Sequence, residues 1–234
     1  IEFASGITGI PSSEIATAST GVIGRKMPMD IILLLVEESI SKLEHSAESS
    51  TDAAKSIMTT DTYHKEFAVE TTIDGEKVRI GGITKGVGMI APNMGTMLCF
   101  LATDAVISSE MINKALKSAV NRSFNMIVVD GDQSTNDTAI LMANGKSGVE
   151  VAKDGEINED FQEALDFICI SLAKMMARDG EGATKFIECK VNGAKDENDA
   201  ILASKSVISS SLVKSAIFGG DPNWGRIVAA VGYS

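Results

Sequence analysis

The chain has 234 residues, 44% hydrophobic and 23% charged, enough for one large domain or two small lobes, which excludes a disordered tail or a mini-protein. Its 21 basic and 32 acidic residues leave a formal net charge of -11, so the surface as a whole repels phosphate backbones and anionic membranes, and neither nucleic acid nor membrane is expected as a partner. The longest aliphatic run, residues 31–36, is far below the roughly 20 residues of a bilayer-spanning helix, and no basic-then-apolar leader opens the chain. The protein therefore reads as soluble. Cys99, Cys169 and Cys189 stand far apart, and the only histidines are His45 and His64. A disulfide framework or a metal site is not expected, and a reducing cytoplasm fits. The chain starts at Ile1 without a methionine and stops at Ser234 just after an apolar segment, which suggests a fragment or a processed chain.

Pro28 and Asp30 open an apolar segment to about His45 in which Ile31, Leu34, Leu35, Ile40 and Leu43 recur at a helical period, predicting a core-facing helix. From residue 66 to 84 the pattern alternates through Phe67, Val69, Thr71, Ile73, Val78 and Ile80. Asp74-Gly75, a pair suited to positive φ, divides it into a β-hairpin. A strand is expected over 97–103, a helix from Ser109 to about Phe124 and a short strand over 126–129. Asn158-Glu159-Asp160 starts a helix with the apolar stripe Phe161, Leu165, Ile168 and Leu172, closed by Gly180. A strand over 184–191 and a helix from about 197 to 216 follow. Strands interleaved irregularly with helices argue for an α+β fold with packed mixed or antiparallel sheets and outer helices, an αββα-like sandwich.

Three segments carry more than structural composition. Gly86-Val87-Gly88-Met89-Ile90-Ala91 matches the glycine pattern of a dinucleotide phosphate loop, but it follows a hairpin and is interrupted by Pro92-Asn93. A glycine-rich turn that permits close backbone approach is the better reading. Residues 130–137 place oxygens at alternate positions as a calcium loop does. Thr135 and Leu141 occupy the positions of the required glycine and glutamate, so a polar turn with side-chain caps is favoured. In Gly95-Thr96 a hydroxyl heads an apolar strand after a small residue. If that peptide were cleaved, the new α-amine, with a reference pKa of about 7.7 to 8.0, could serve as base for its own hydroxyl without any histidine. A plain bend before a strand is the alternative.

Six ordered segments then resemble the ornithine acetyltransferase (glutamate N-acetyltransferase) family. They are Ala18-Ser19-Thr20-Gly21-Val22-Ile23-Gly24-Arg25, Thr59-Thr60-Asp61-Thr62, the run from Lys85 through Gly95-Thr96 to Leu98, Asp130-Gly131-Asp132 with Ser134-Thr135-Asn136-Asp137-Thr138, Asp179-Gly180-Glu181-Gly182-Ala183-Thr184-Lys185, and Gly220-Asp221-Pro222-Asn223-Trp224-Gly225-Arg226. The resemblance implies that family's fold and a self-cleaving acyltransferase of arginine biosynthesis. In that scheme acetyl passes from N-acetylornithine to a threonine and then to glutamate, with no cofactor. It makes Thr96 the nucleophile and Gly95-Thr96 the cleavage site, giving pieces 1–95 and 96–234 that assemble as an oligomer of cleaved chains in the cytoplasm. Thr20 and Gly21 match the oxyanion-hole pair, and Thr59, Lys85, Thr96 and Glu181 match substrate-contacting positions. Lys85 suits an α-carboxylate entering an acidic chain, and Glu181 suits a substrate amine.

Two departures stand out: Gly95 replaces the family's usual alanine, and family members extend beyond both ends of this chain. Whether acetyl-CoA is a second donor stays open. Two other readings remain: an N-terminal-nucleophile amidase or aminopeptidase that passes the acyl group to water, and a catalytically silent amino-acid-binding relative.

Overall fold

In the computed structural model, residues 1–91 and 97–234 are described. The predicted hairpin forms from β1 (Lys65–Ile73) and β2 (Glu76–Lys85), which pair antiparallel with Ile73 opposite Glu76. Its turn is Asp74-Gly75, with φ of 53° and 86°, the left-handed pair that matches the twist of a two-residue hairpin. β3 (Leu98–Thr103) runs antiparallel to β2, and β4 (Thr138–Ala143) pairs parallel with β3, completing a mixed sheet of order β1-β2-β3-β4. The parallel pair is joined through α4 (Ser109–Arg122), as a parallel connection requires. A second, two-stranded sheet of β5 (Ala152–Lys153) and β6 (Glu156–Ile157) leads into α5 (Glu159–Arg178). The protein is thus α+β, with helices packed on a mixed sheet.

α5 is the central helix. Asn158 caps it by accepting from the Phe161 N–H, and Phe161, Leu165, Ile168 and Leu172 are all 0% exposed. Its predicted stripe lies against β1 and β2, α4 packs beside it, and Phe167 meets Phe67 of β1 edge to face at 5.8 Å. The sheet contributes Ile73, Val78, Ile80 and Leu101 to the same core. A second small core gathers Val207, Val213 and Ala230 from α6 (Glu197–Ser209), α7 (Ser211–Phe218) and α8 (Trp224–Gly232).

Several expected elements differ. α2 (Met29–Ser41) stops before Leu43 and has no buried residue; Leu34 is 68% exposed. Its main partner is α1 (Glu2–Thr8), which has none either, so the apolar period specified a helix but not a core position. Ser46 then caps an unpredicted helix, α3 (Ala47–Ser56), by accepting from the Ser49 N–H. Residues 126–129 are not a strand: a 3₁₀ turn covers Phe124–Met126, and Val129 N–H reaches only the Ile90 carbonyl, at 2.8 Å. Residues 184–191 are also not a strand: among the described residues no ladder pairs with them. They are held instead by Lys174 on Glu188 and by Arg178 over the Phe186 ring, and they wall a cavity of about 470 Å³ against α5. The expected helix over 197–216 breaks at Ser210, whose side chain accepts from the Val213 N–H and restarts the chain as α7.

Gly82 of β2 packs tightly against Leu101 of β3 and Leu172 of α5. A Cβ there would come within 2.4 Å of Leu101 Cδ2 and 3.1 Å of Leu172 Cδ1. Gly82→Ala should therefore destabilise the fold by about 1–3 kcal/mol through overpacking, read as a lower urea midpoint with unchanged slope.

Candidate active site

The site is assembled around a buried lysine. Lys65, the first residue of β1, has a fully buried side chain, and its Nζ lies 2.6 Å from Asp61 Oδ1 and 2.6 Å from Asp179 Oδ2. It also donates to the Tyr63 carbonyl at 3.3 Å. The carboxylates spend their remaining acceptor capacity on backbone. Asp61 accepts from Gly86 N–H at 2.9 Å and from Thr59 N–H at 3.1 Å. Asp179, the C-cap of α5, accepts from the Thr62 N–H at 3.0 Å and from the Thr62 hydroxyl. Burial pushes the Asp61 carboxyl up, but Lys65 and the two N–H donors outweigh it and hold Asp61 below its ordinary range. The network thereby fixes three segments against one another: the loop 59–62, the end of β2 and the C-terminal end of α5.

Three of the residues singled out in the sequence ride on these segments. Lys85 ends β2, is 2% exposed, and donates to Thr59 Oγ1 at 3.4 Å. Burial lowers its pKa, opposed by the charges of Asp61 and Asp137 and reinforced by that of Lys65. Glu181 follows α5; its N–H donates to the Val87 carbonyl at 2.8 Å, and its Oε1 accepts from the Thr60 hydroxyl at 2.8 Å. Its carboxylate rests on Gly88, where a Cβ would lie 3.0 Å from Glu181 Cδ. This is the close approach expected of the glycine-rich turn. The turn follows strands that pair antiparallel, whereas a dinucleotide phosphate loop follows a strand of a parallel sheet, so the phosphate-loop geometry is not met.

Thr20 and Gly21 are connected by a different route. Asn136 Nδ2 donates to the Ser19 carbonyl at 3.2 Å, while Asp137 Oδ1 accepts from Met97 N–H at 3.0 Å and Thr138 N–H donates to the Met97 carbonyl at 3.1 Å. The turn 136–138 thus holds both the residue before Thr20 and the residue after Thr96. Lys85 is also close to that point, because it pairs with Leu98 in the β2–β3 register. Gly95 and Thr96 themselves, with residues 92–94, lie outside the described residues.

Residues 130–137 form the capped turn that their composition suggested. Asp130 accepts from Met89 N–H, from Ile90 N–H at 3.0 Å and from Asp132 N–H at 3.1 Å, leaving it poorly placed as a metal ligand. No cluster able to hold a metal occurs among the described residues. Sequence reasoning passed over Asp61, Lys65, Asp179 and Asp137. The first and the last two lie inside the quoted segments, but a carboxylate that binds backbone is indistinguishable in sequence from one that faces solvent.

The sequence matches the ArgJ family over residues 1–234. The chain belongs to that family. It is 56% identical over 227 residues to the glutamate N-acetyltransferase of Methanocaldococcus jannaschii, covering 96% of this chain and 56% of that protein. It is 53% identical to the glutamate N-acetyltransferase of Methanothermobacter thermautotrophicus, covering 95% of this chain and 54% of that protein. The crystal structure of the arginine biosynthesis bifunctional protein ArgJ from Bacillus halodurans superimposes with a TM-score of 0.55 at 46% identity, over 57% of this chain and 63% of that one. The chain therefore spans a little over half the length of the curated relatives it matches.

Lys65→Met should leave two carboxylates buried against each other and cost about 3–5 kcal/mol, measured by chemical denaturation. Burial raises Asp137 from 3.8 to about 6, with the Met97 N–H and Lys85 pulling it down. Between those two pH values the native state holds a proton that the unfolded state releases, so stability falls as pH rises across that window. Asp137→Asn should remove this loss, and melting temperatures compared from pH 4 to pH 7 should show a flatter profile.

Proposed function

We propose that this chain carries the core of an acyltransferase site that moves an acetyl group from N-acetylornithine to glutamate in arginine biosynthesis, using Thr96 as nucleophile. The observation that carries the reading is that the buried network of Lys65, Asp61 and Asp179 anchors the segments bearing Thr59, Lys85 and Glu181. It occurs in an ArgJ-family chain, at the strand end beside the start of β3.

In this scheme hydrolysis at Gly95–Thr96 separates residues 1–95 from 96–234, and the two pieces stay assembled as an oligomer of cleaved chains. The free α-amine of Thr96 takes the proton of its own hydroxyl as the oxygen attacks the acetyl carbonyl. The Thr20 hydroxyl and the Gly21 N–H stabilise the tetrahedral oxyanion, each worth on the order of 3 kcal/mol. Collapse breaks the amide bond, and the α-amine returns the proton to the departing ornithine nitrogen. Glutamate's amine then attacks the acetyl-threonine ester, forming N-acetylglutamate and restoring the hydroxyl. Lys85, kept from solvent, pairs with the substrate α-carboxylate, and Thr59 holds Lys85 in place. Glu181 takes the side-chain amine of ornithine. The scheme runs on the chain's own groups without a cofactor and suits a cytoplasmic enzyme of small metabolites.

Thr96→Ala should give a folded single chain near 24.6 kDa with transfer reduced by roughly 10³-fold or more, whereas Thr96→Ser should retain slowed cleavage and transfer. Denaturing electrophoresis and acetyl transfer from N-acetylornithine to glutamate check both. Cleavage in Thr96→Ala, or transfer at the parent rate, would overturn the assignment. Hydrolysis of acetylornithine without acceleration by glutamate would favour an amidase.

A further inference from the structure

We infer that Thr60 is a positioning residue for donor specificity, holding Glu181 so that its second carboxylate oxygen faces the amine-bearing end of the donor; this rests on the reading of Glu181 given above. Thr60 and Glu181 are 121 positions apart, yet the Thr60 hydroxyl donates to Glu181 Oε1 at 2.8 Å. Among the described residues Oε2 carries no hydrogen bond, so the pair leaves one oxygen engaged and the other available.

Both ends of the contact are fixed by their backbones. Thr60 sits between Thr59, whose N–H is bound by Asp61, and Thr62, whose N–H and hydroxyl are bound by Asp179. Glu181 is tied through its N–H to the Val87 carbonyl. Gly88 completes the seat: an added Cβ would lie 3.2 Å from each Glu181 oxygen, so any larger residue displaces the carboxylate from the position in which Thr60 holds it. Thr60, Gly88 and Glu181 form a small device in which one hydroxyl orients an otherwise exposed acid. A freely rotating glutamate would spread its charge over several rotamers, and a bound amine would have to select one of them.

The test is steady-state kinetics on the full chain with N-acetylornithine and glutamate varied separately. Thr60→Val keeps shape and removes the donor. It should raise KM for N-acetylornithine by about 5- to 10-fold, leaving KM for glutamate and kcat within about 2-fold, and Thr60→Ser should restore the parent value. Gly88→Ala should raise the same KM without changing the thermal midpoint by more than a few degrees. In a Glu181→Ala background, Thr60→Val should add nothing. An equal rise in both KM values, absence of rescue by serine, or full additivity with Glu181→Ala overturns the proposal while leaving Glu181 as the amine partner. No change in KM for N-acetylornithine in Glu181→Ala overturns the reading of Glu181 and the proposal together.

Discussion

One buried ammonium, that of Lys65, holds the loop 59–62, the end of β2 and the end of α5 in a single arrangement. Two ionised carboxylates repel each other in a dry site unless a cation lies between them, and a buried ammonium is costly unless it is paired or hydrogen-bonded. Each group therefore requires the other two. Asp61 and Asp179 pass this constraint outward through backbone N–H groups, so the positions of Thr59, Gly86 and Thr62 follow from it. Lys85 lies next to Gly86 in the chain, and Glu181 lies two positions beyond Asp179. The ionic network thereby sets the distances among the segments that carry Thr59, Lys85 and Glu181, the residues proposed to contact substrate.

The electrostatics of the site run against those of the whole molecule. A chain of net charge -11 repels an incoming carboxylate at long range, yet the strand end concentrates two lysines, Lys65 and Lys85, within one network. Lys65 is neutralised by its two partners, whereas Lys85 donates to a neutral hydroxyl. Lys85 thus has no carboxylate bonded directly to it among the described residues. Its depressed pKa records what burial costs, and the charges of Asp61 and Asp137 limit that depression. Asp137 carries the converse strain: it is half-buried, its carboxyl is raised to about 6, and it spends one oxygen on the Met97 N–H.

The glycines of the 86–91 turn show how a weak motif acquires a definite use. Gly86 has φ of 146°, a conformation that L side chains rarely adopt, and its N–H donates to Asp61. Gly88 admits a carboxylate where any other residue would place a Cβ. The pattern that mimics a phosphate loop therefore accommodates an acid side chain of the same protein.

Local chemistry alone specified the Asp74-Gly75 hairpin, the α5 stripe from Phe161 to Leu172 and the capped turn at Asp130. The resemblance carried by quoted segments pointed to the family; of those segments Lys85 contacts Thr59, while Glu181 contacts the neighbouring Thr60 and rests on Gly88. In each case the signal lies in a few neighbouring residues or in a short period. The tertiary structure decided whatever depends on a distant partner. The apolar period of residues 29–41 made a helix but could not place it in a core, and residues 184–191 look like a strand but pair with no strand among the described residues. Lys65 looked like one more surface lysine until Asp61 and Asp179 closed on it. A sequence records which groups a residue carries, but burial and pairing belong to the residues that surround it, and those come together only when the chain folds.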